Sequence, residues 1–219
     1  MSVEAFLFDL DGTLVDSAPD LAGATNEMRD VRGLPRLSYQ ALRPMAGAGA
    51  RGMIGRAFGV AVGDSAFDSL RDEFFARYES RLMRETRYFD GIVAVLDRLD
   101  AVGLPWAVVT NKIARFTDPL VDALGLSRRA AAVISGDTTA FSKPHPAPLL
   151  EAARRIRVAP GACVYIGDDL RDIVAGRAAG MQTAAAAWGY LGQGEAIESW
   201  GADRVLQVPL ETLNLITMP

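Results

Sequence analysis

Val3-Glu4-Ala5-Phe6-Leu7-Phe8-Asp9-Leu10-Asp11-Gly12-Thr13 is the stretch on which the architecture turns. An apolar run that stops abruptly at acids and a glycine reads as a buried strand over Val3–Asp9, opening into a polar loop. Ser17-Ala18-Pro19-Asp20 follows in the pattern of a capping box with an early proline, which predicts a helix running from there towards Gly33. Residues 38–85 keep helical periodicity, with Phe67, Leu70, Phe74, Tyr78 and Leu82 at three- and four-residue steps. That stretch is expected to be an all-helical unit.

After Tyr88-Phe89-Asp90-Gly91 the rhythm changes. Ile92, Val95, Leu96, Leu99 and Val102 form one helix face, Gly103 supplies a stop, and Trp106–Thr110 reads as the next buried strand. Further strands are expected at Ala131–Ser135, Cys163–Gly167, Gln182–Ala186 (part of an alanine tract that reads as close-packed strand) and Arg204–Val208. Helix-like segments such as Pro148–Arg155 and Leu170–Ala179 lie between them. Such alternation implies an α/β fold, a doubly wound parallel sheet with helices on both faces. The expected division is a Rossmann-like core of residues 1–15 and 87–219, with a helical cap domain, 16–86, inserted after the first strand.

The 219-residue chain is half apolar, and its 23 Lys and Arg against 27 Asp and Glu give a formal charge of −4. This balance offers no bulk attraction to nucleic acid or anionic membrane. No run approaches the roughly 20 apolar residues of a membrane span, and the N-terminus lacks the basic and apolar regions of a secretory signal. With Cys163 as the single cysteine, an internal disulfide is impossible, and a reducing cytoplasm is the expected location.

Ligands of open parallel sheets bind at the carboxyl ends of the strands, and four such ends carry polar residues. At the first, period-two geometry aims Asp9 and Asp11 to the same side, where two carboxylates need a proton or a hard cation between them. Alone, the same residues suit a solvated turn. At the second, Thr110-Asn111-Lys112 ends a strand before a helix start, a natural anion site and equally an ordinary turn. The third, Ser142-Lys143-Pro144-His145-Pro146, delivers Lys143 on a stiff loop as a fixed counter-charge for phosphate or carboxylate, or leaves it solvated. At the fourth, Gly167-Asp168-Asp169-Leu170-Arg171-Asp172, one acid suits a cation and another, a turn on, orients its neighbours. Capping of the helix accounts for the same residues.

In this order the four stretches resemble the haloacid dehalogenase-like superfamily of aspartyl-phosphate hydrolases. Asp9-x-Asp11-Gly12-Thr13, Thr110, Lys143 and Gly167-Asp168-x-x-x-Asp172 look like its four motifs, over essentially the whole chain. Thr110-Asn111-Lys112, Lys143-Pro144-His145-Pro146-Ala147-Pro148 and Gly189-Tyr190 are similar to the phosphoglycolate phosphatase type. Arg115-Phe116, Gly167-Asp168-Asp169-Leu170-Arg171-Asp172-Ile173 and Trp200-Gly201-Ala202-Asp203 look more like the bacterial N-acetylmuramic acid 6-phosphate phosphatases of cell-wall recycling.

The resemblance implies a Mg²⁺-dependent phosphomonoester hydrolase for a small anionic sugar or acid phosphate, acting as a monomer or homodimer. In it Asp9 is the nucleophile, Asp11 the general acid and base, and Lys143 the catalytic cation. Thr110 and Asn111 bind the phosphoryl group. Mg²⁺ sits on Asp9, the Asp11 carbonyl and Asp168, with Asp169 and Asp172 in support. The cap selects the leaving group, and Arg51, after the Gly47-Ala48-Gly49 turn, leads Arg43 and Arg56 as the residue to pair with a substrate carboxylate. N-acetylmuramic acid 6-phosphate is the favoured substrate and 2-phosphoglycolate the alternative. Further alternatives are a sugar phosphomutase, for which no cap group stands out, and a non-catalytic ligand-binding module. A dehalogenase is opposed by Asp11.

Four features are expected to carry no catalytic chemistry. Gly47-x-Gly49-x-x-Gly52 meets the dinucleotide-binding expression but no strand precedes it. His145, the lone histidine, lacks a nucleophile elbow to serve and is expected to be a loop residue near the substrate and not a catalytic base, and Cys163 reads as an inert core thiol. The Phe and Trp residues sit at periodic positions and read as core.

Overall fold

The computed structural model of the chain describes residues 3–216. The opening apolar run forms β1 (Ala5–Phe8), and β2 (Val15–Asp16) follows the acidic loop. Four helices come next: α1 (Ala18–Asp30), α2 (Tyr39–Leu42), α3 (Gly49–Phe58) and α4 (Phe67–Arg81), with a 3-10 helix at Arg43–Ala48. β3 (Arg87–Tyr88) then pairs antiparallel with β2, Val15 opposite Tyr88, so the chain leaves and re-enters the sheet region side by side. The remainder alternates: α5 (Ile92–Ala101), β4 (Trp106–Val109), α6 (Ala114–Ala123), β5 (Ala132–Ile134), α7 (Ala147–Ile156), β6 (Cys163–Gly167), α8 (Leu170–Ala178), β7 (Gln182–Ala186) and β8 (Arg204–Leu206).

Six strands make one parallel sheet in the order β5-β4-β1-β6-β7-β8, which places β1 between β4 and β6. Alternation along β1 assigns the two faces. Phe6 and Phe8 pack with α5 and α6, whereas Ala5 and Leu7 pack with α7 and with Ala175 of α8. Each fully buried large side chain contributes about 1.5–3 kcal/mol relative to exposure. The α1–α4 helices close around a cluster of their own, including Met28, Leu42, Met53 and Phe74, which meets the sheet region through Phe116 and Tyr190. The doubly wound expectation holds. Among the described residues no helix is long and apolar enough to cross a membrane.

Several expected details differ. β1, β4, β5 and β8 are shorter than expected by one to three residues, as at Asp9 and Thr110, whereas β6 and β7 keep the expected bounds. The helical stretch 38–85 is interrupted at 59–66, because Gly59 adopts φ 69° and ends α3. The capping box does not form. Ser17 makes no cap bond; its hydroxyl donates to Asp11, and Asp20 instead accepts from the Glu85 and Thr86 N–H groups and the Thr86 hydroxyl. A buried carboxylate with donors from a distant strand entrance outcompetes a local cap.

Candidate active site

All four polar strand ends meet at one cavity of about 240 Å³ at the carboxyl edge of the sheet, bordered by Asp9, Asp11, Thr110, Lys143 and Asp168. The loop after β1 is tightly wound: the Leu14 and Val15 N–H groups both donate to the Leu10 carbonyl at 3.0 Å, and Gly12 takes φ 87°. Asp9 Oδ1 accepts from the Leu10 N–H at 2.7 Å and lies 2.9 Å from Lys143 Nζ. The reach of Lys143 from its loop is set by Asn111, whose side-chain amide donates to the Lys143 carbonyl and accepts from its N–H, both at 2.9 Å. Asn111 thus serves the site through its side chain, which the sequence reading did not assign.

Lys143 is buried among four oxygens: Asp9 Oδ1, Asp172 Oδ1 at 2.8 Å, the Tyr165 hydroxyl at 2.7 Å and the Val109 carbonyl at 3.0 Å. Burial works against its charge, but Asp172 and Asp9 outweigh it and hold the ammonium above its ordinary pKa. Asp168 is fixed by the Thr13 hydroxyl on Oδ1 (2.9 Å) and the Tyr190 N–H on Oδ2 (2.8 Å).

Asp11 has a separate lysine. Lys112 Nζ approaches Asp11 Oδ1 at 3.1 Å and donates to the Tyr78 hydroxyl of α4 at 2.7 Å. Burial lowers the Lys112 pKa, and Asp11 with Tyr78 raises it further than burial lowers it. Asp169 caps α8 in a reciprocal box with Asp172 and pairs with Arg171, which also donates to the Gly47 carbonyl at 2.6 Å. Burial pushes the Asp169 carboxyl up, and Arg171 overrides it and holds it below its usual range.

Three oxygen ligands, one each from Asp9, Asp168 and Asp172, lie within 4.8 Å of one another. If ionised they bring three negative charges against the single positive charge of Lys143, leaving two uncompensated in a buried place. Protons supply the balance in their own way: burial, with Asp172 and Asp11 nearby, pushes Asp9 up to about 7 despite Lys143, and burial with Asp9 drives Asp168 well above the carboxylate range. A hard divalent cation offsets the same two charges, and the all-oxygen donor set fits Mg²⁺. Asp172 is met by three donors, Lys143 and Tyr165 on Oδ1 and the Asp169 N–H on Oδ2, whereas both Asp9 contacts fall on Oδ1 and Asp168 has one donor on each oxygen, so Asp9 and Asp168 are the less engaged acids.

Two glycines leave room for this arrangement. A Cβ on Gly12 or Gly189 would overlap Asp168. Gly189→Ala is therefore expected to cost about 1–3 kcal/mol of stability and to raise about 10–100-fold the concentration of divalent cation that half-saturates the acidic cluster. Unfolding curves together with a divalent-cation binding titration check both; an unchanged titration removes the constraint on Asp168.

The comparisons with known proteins cover nearly all of this chain. Residues 6–186 match the haloacid dehalogenase-like hydrolase family. The chain belongs to that family. This hydrolase is 47% identical to the phosphoglycolate phosphatase of Xanthomonas campestris, across 94% of its own length and 92% of the relative's. It is 40% identical to the N-acetylmuramic acid 6-phosphate phosphatase of Pseudomonas aeruginosa, across 99% and 96%. Among solved structures, a predicted phosphoglycolate phosphatase from Haemophilus somnus superposes with a TM-score of 0.87 at 27% identity, covering 99% of each chain.

The arginine expectation is corrected. Arg51 is exposed and absent from the cavity lining, because α3 turns it outward while Gly49 and Ala50 face in. Arg43 donates to the Trp188 carbonyl at 3.2 Å and lies over the Tyr190 ring, and Arg56 reaches only the Ala41 carbonyl. The arginine that borders the cavity is Arg171. The aromatic expectation also needs correction, since Phe74, Phe75 and Phe116 wall the cavity as well as packing. His145, expected near the substrate, is instead exposed, stacks on Phe141 and does not line the cavity. Cys163 is buried, and burial pushes its thiol up to about 11.

Proposed function

We propose that the chain is a Mg²⁺-dependent phosphomonoesterase working through an aspartyl phosphate on Asp9. The reading is carried by the convergence of Asp9, Lys143 and Asp168 from three distant parts of the chain, with Lys143 held 2.9 Å from Asp9. Residues 16–86 act as a cap over a core of 1–15 and 87–219, a division supported by the paired entry and exit at β2 and β3.

Asp9 attacks phosphorus while the ester oxygen departs, so one difficult displacement becomes two easier ones. Asp11, kept in place by Ser17 and Lys112, gives its proton to the leaving alkoxide and later takes one from the water that cleaves the acyl phosphate. Lys143 and Thr110 face the phosphoryl oxygens; such preorganised donors contribute about 3–4 kcal/mol each to lowering the barrier. Mg²⁺, held by Asp9, the Asp11 carbonyl and Asp168, supplies neutralisation of charge on the phosphoryl group when bound. The cap excludes water around the reacting groups.

N-acetylmuramic acid 6-phosphate is the favoured substrate, and 2-phosphoglycolate the alternative; relatives carry both names. Steady-state rates on the two compounds decide between them. The expected result is a kcat/KM at least about tenfold higher for the amino-sugar phosphate, lost on chelation and restored by Mg²⁺. Equal or negligible rates on both remove the preference, and activity that survives chelation removes the ion.

A further inference from the structure

The cavity has two unlike halves. At the strand ends it is charged; beneath the cap it is apolar, walled by Leu21 of α1, Phe74 and Phe75 of α4, Ile113, and Phe116 of α6. The aromatic groups brace one another: the Phe75 and Phe116 rings are 5.1 Å apart and tilted by 58°, and Tyr78 meets the Phe116 ring edge-on at 5.3 Å. Phe74 and Phe116 are buried, and Phe75 is half-buried. Three cations border the cavity, and each is already paired: Lys143 with Asp9 and Asp172, Lys112 with Asp11, Arg171 with Asp169. Each of these cations is held by a carboxylate at the charged half, and among the aromatic walls of the lining only Tyr78 carries a polar group, a hydroxyl turned to Lys112 at 2.7 Å.

An ionised group pushed into such a chamber loses its hydration and meets ring edges and methyl groups in exchange, an uncompensated burial. An alkyl, acyl or ring surface placed there leaves water and packs on the aromatic walls. We propose that this chamber selects the alcohol half of the phosphomonoester by apolar contact: the leaving group turns an uncharged, hydrocarbon-bearing face to Phe74, Phe75 and Phe116, and any carboxylate the substrate carries stays outside the chamber. The inference rests on the Asp9 reading above and adds the chemical class of the leaving group to it.

Three primary alkyl esters separate charge from apolar surface while keeping the leaving-group chemistry similar: ethyl phosphate, cyclohexylmethyl phosphate and 2-phosphoglycolate. With the full chain and saturating Mg²⁺, kcat/KM for cyclohexylmethyl phosphate is expected to exceed both others at least about tenfold. Phe75→Ala is expected to shrink the ratio of cyclohexylmethyl to ethyl phosphate about tenfold, chiefly through KM, and Phe75→Leu to restore most of it. Ile113→Lys, which places a cation in the chamber, shifts preference towards 2-phosphoglycolate. Circular dichroism and melting curves identify any variant that fails to fold, in which case the three wild-type rates decide alone. A wild-type preference for 2-phosphoglycolate, or rates indifferent to apolar surface, overturns the chamber assignment while leaving Asp9 as nucleophile. Absence of turnover on all three and on 4-nitrophenyl phosphate overturns the phosphatase reading, and this inference with it.

Discussion

Asp9→Asn is expected to abolish turnover, lowering kcat by at least about 10⁴-fold, the scale on which removal of a nucleophile acts. The fold is expected to survive. An amide oxygen can keep the Leu10 N–H bond, and Lys143 retains Asp172, Tyr165 and the Val109 carbonyl. The variant also has a pH signature in the metal-free protein. Asp9 titrates near 7 when folded, against an ordinary value of 3.8. Between those values the folded chain holds a proton that the unfolded chain has released, so the Asp9 contribution to stability falls as pH rises from about 4 to about 7. Asp9→Asn lacks this contribution and should become more stable relative to wild type across that window. Phosphate release and melting temperatures of chelated samples at several pH values check both parts. Undiminished hydrolysis by the variant, or a variant that loses stability relative to wild type as pH rises across that window, contradicts the assignment.

Lys143→Met is expected to damage stability and catalysis together. It leaves Asp9 and Asp172 without their shared ammonium in a buried setting, where breaking one partner of an ion pair costs about 3–5 kcal/mol. It also removes a preorganised counter-charge, worth about 10²–10³ in kcat. The two effects separate in a double variant. Adding Asp172→Asn removes one of the stranded carboxylates and should recover part of the stability while leaving activity low. Denaturant unfolding and initial rates on the single and double variants provide the measurement. Recovery of both together would make Lys143 a structural residue only.

The parts of this site that were legible in the sequence are those written at strand ends. The change from apolar run to acid or lysine is local, and parallel topology then brings such ends to one edge. Asp9, Asp11, Thr110, Lys143 and Asp168 were found on that basis and share the cavity. Partner choice across the molecule was not legible. Nothing near Lys112 shows that it pairs with Asp11 and Tyr78, and nothing near Arg171 points to the Gly47 carbonyl. Arg51 was misplaced because a glycine-rich turn tells of mobility in the backbone but not of which way the next helix faces. The β2–β3 ribbon escaped because two-residue strands are too short to show a period. The aromatic residues of α4 show why periodicity misleads at a cavity: three- and four-residue spacing marks an inward face, whether it meets another side chain or a ligand.

The central position of β1 also bears on how the molecule comes into being. Ribosomes deliver a chain from its N-terminus, so the strand that leads into Asp9 emerges before both of its neighbours. Its two neighbours appear only with Trp106–Val109 and Cys163–Gly167. Until then Phe6, Leu7 and Phe8 form an unpaired apolar edge that invites association with other nascent chains. A nascent chain that ends before Cys163 holds Asp9 with one flank open and no Asp168 beside it. The proposed active site is thus completed only when β6 docks beside β1.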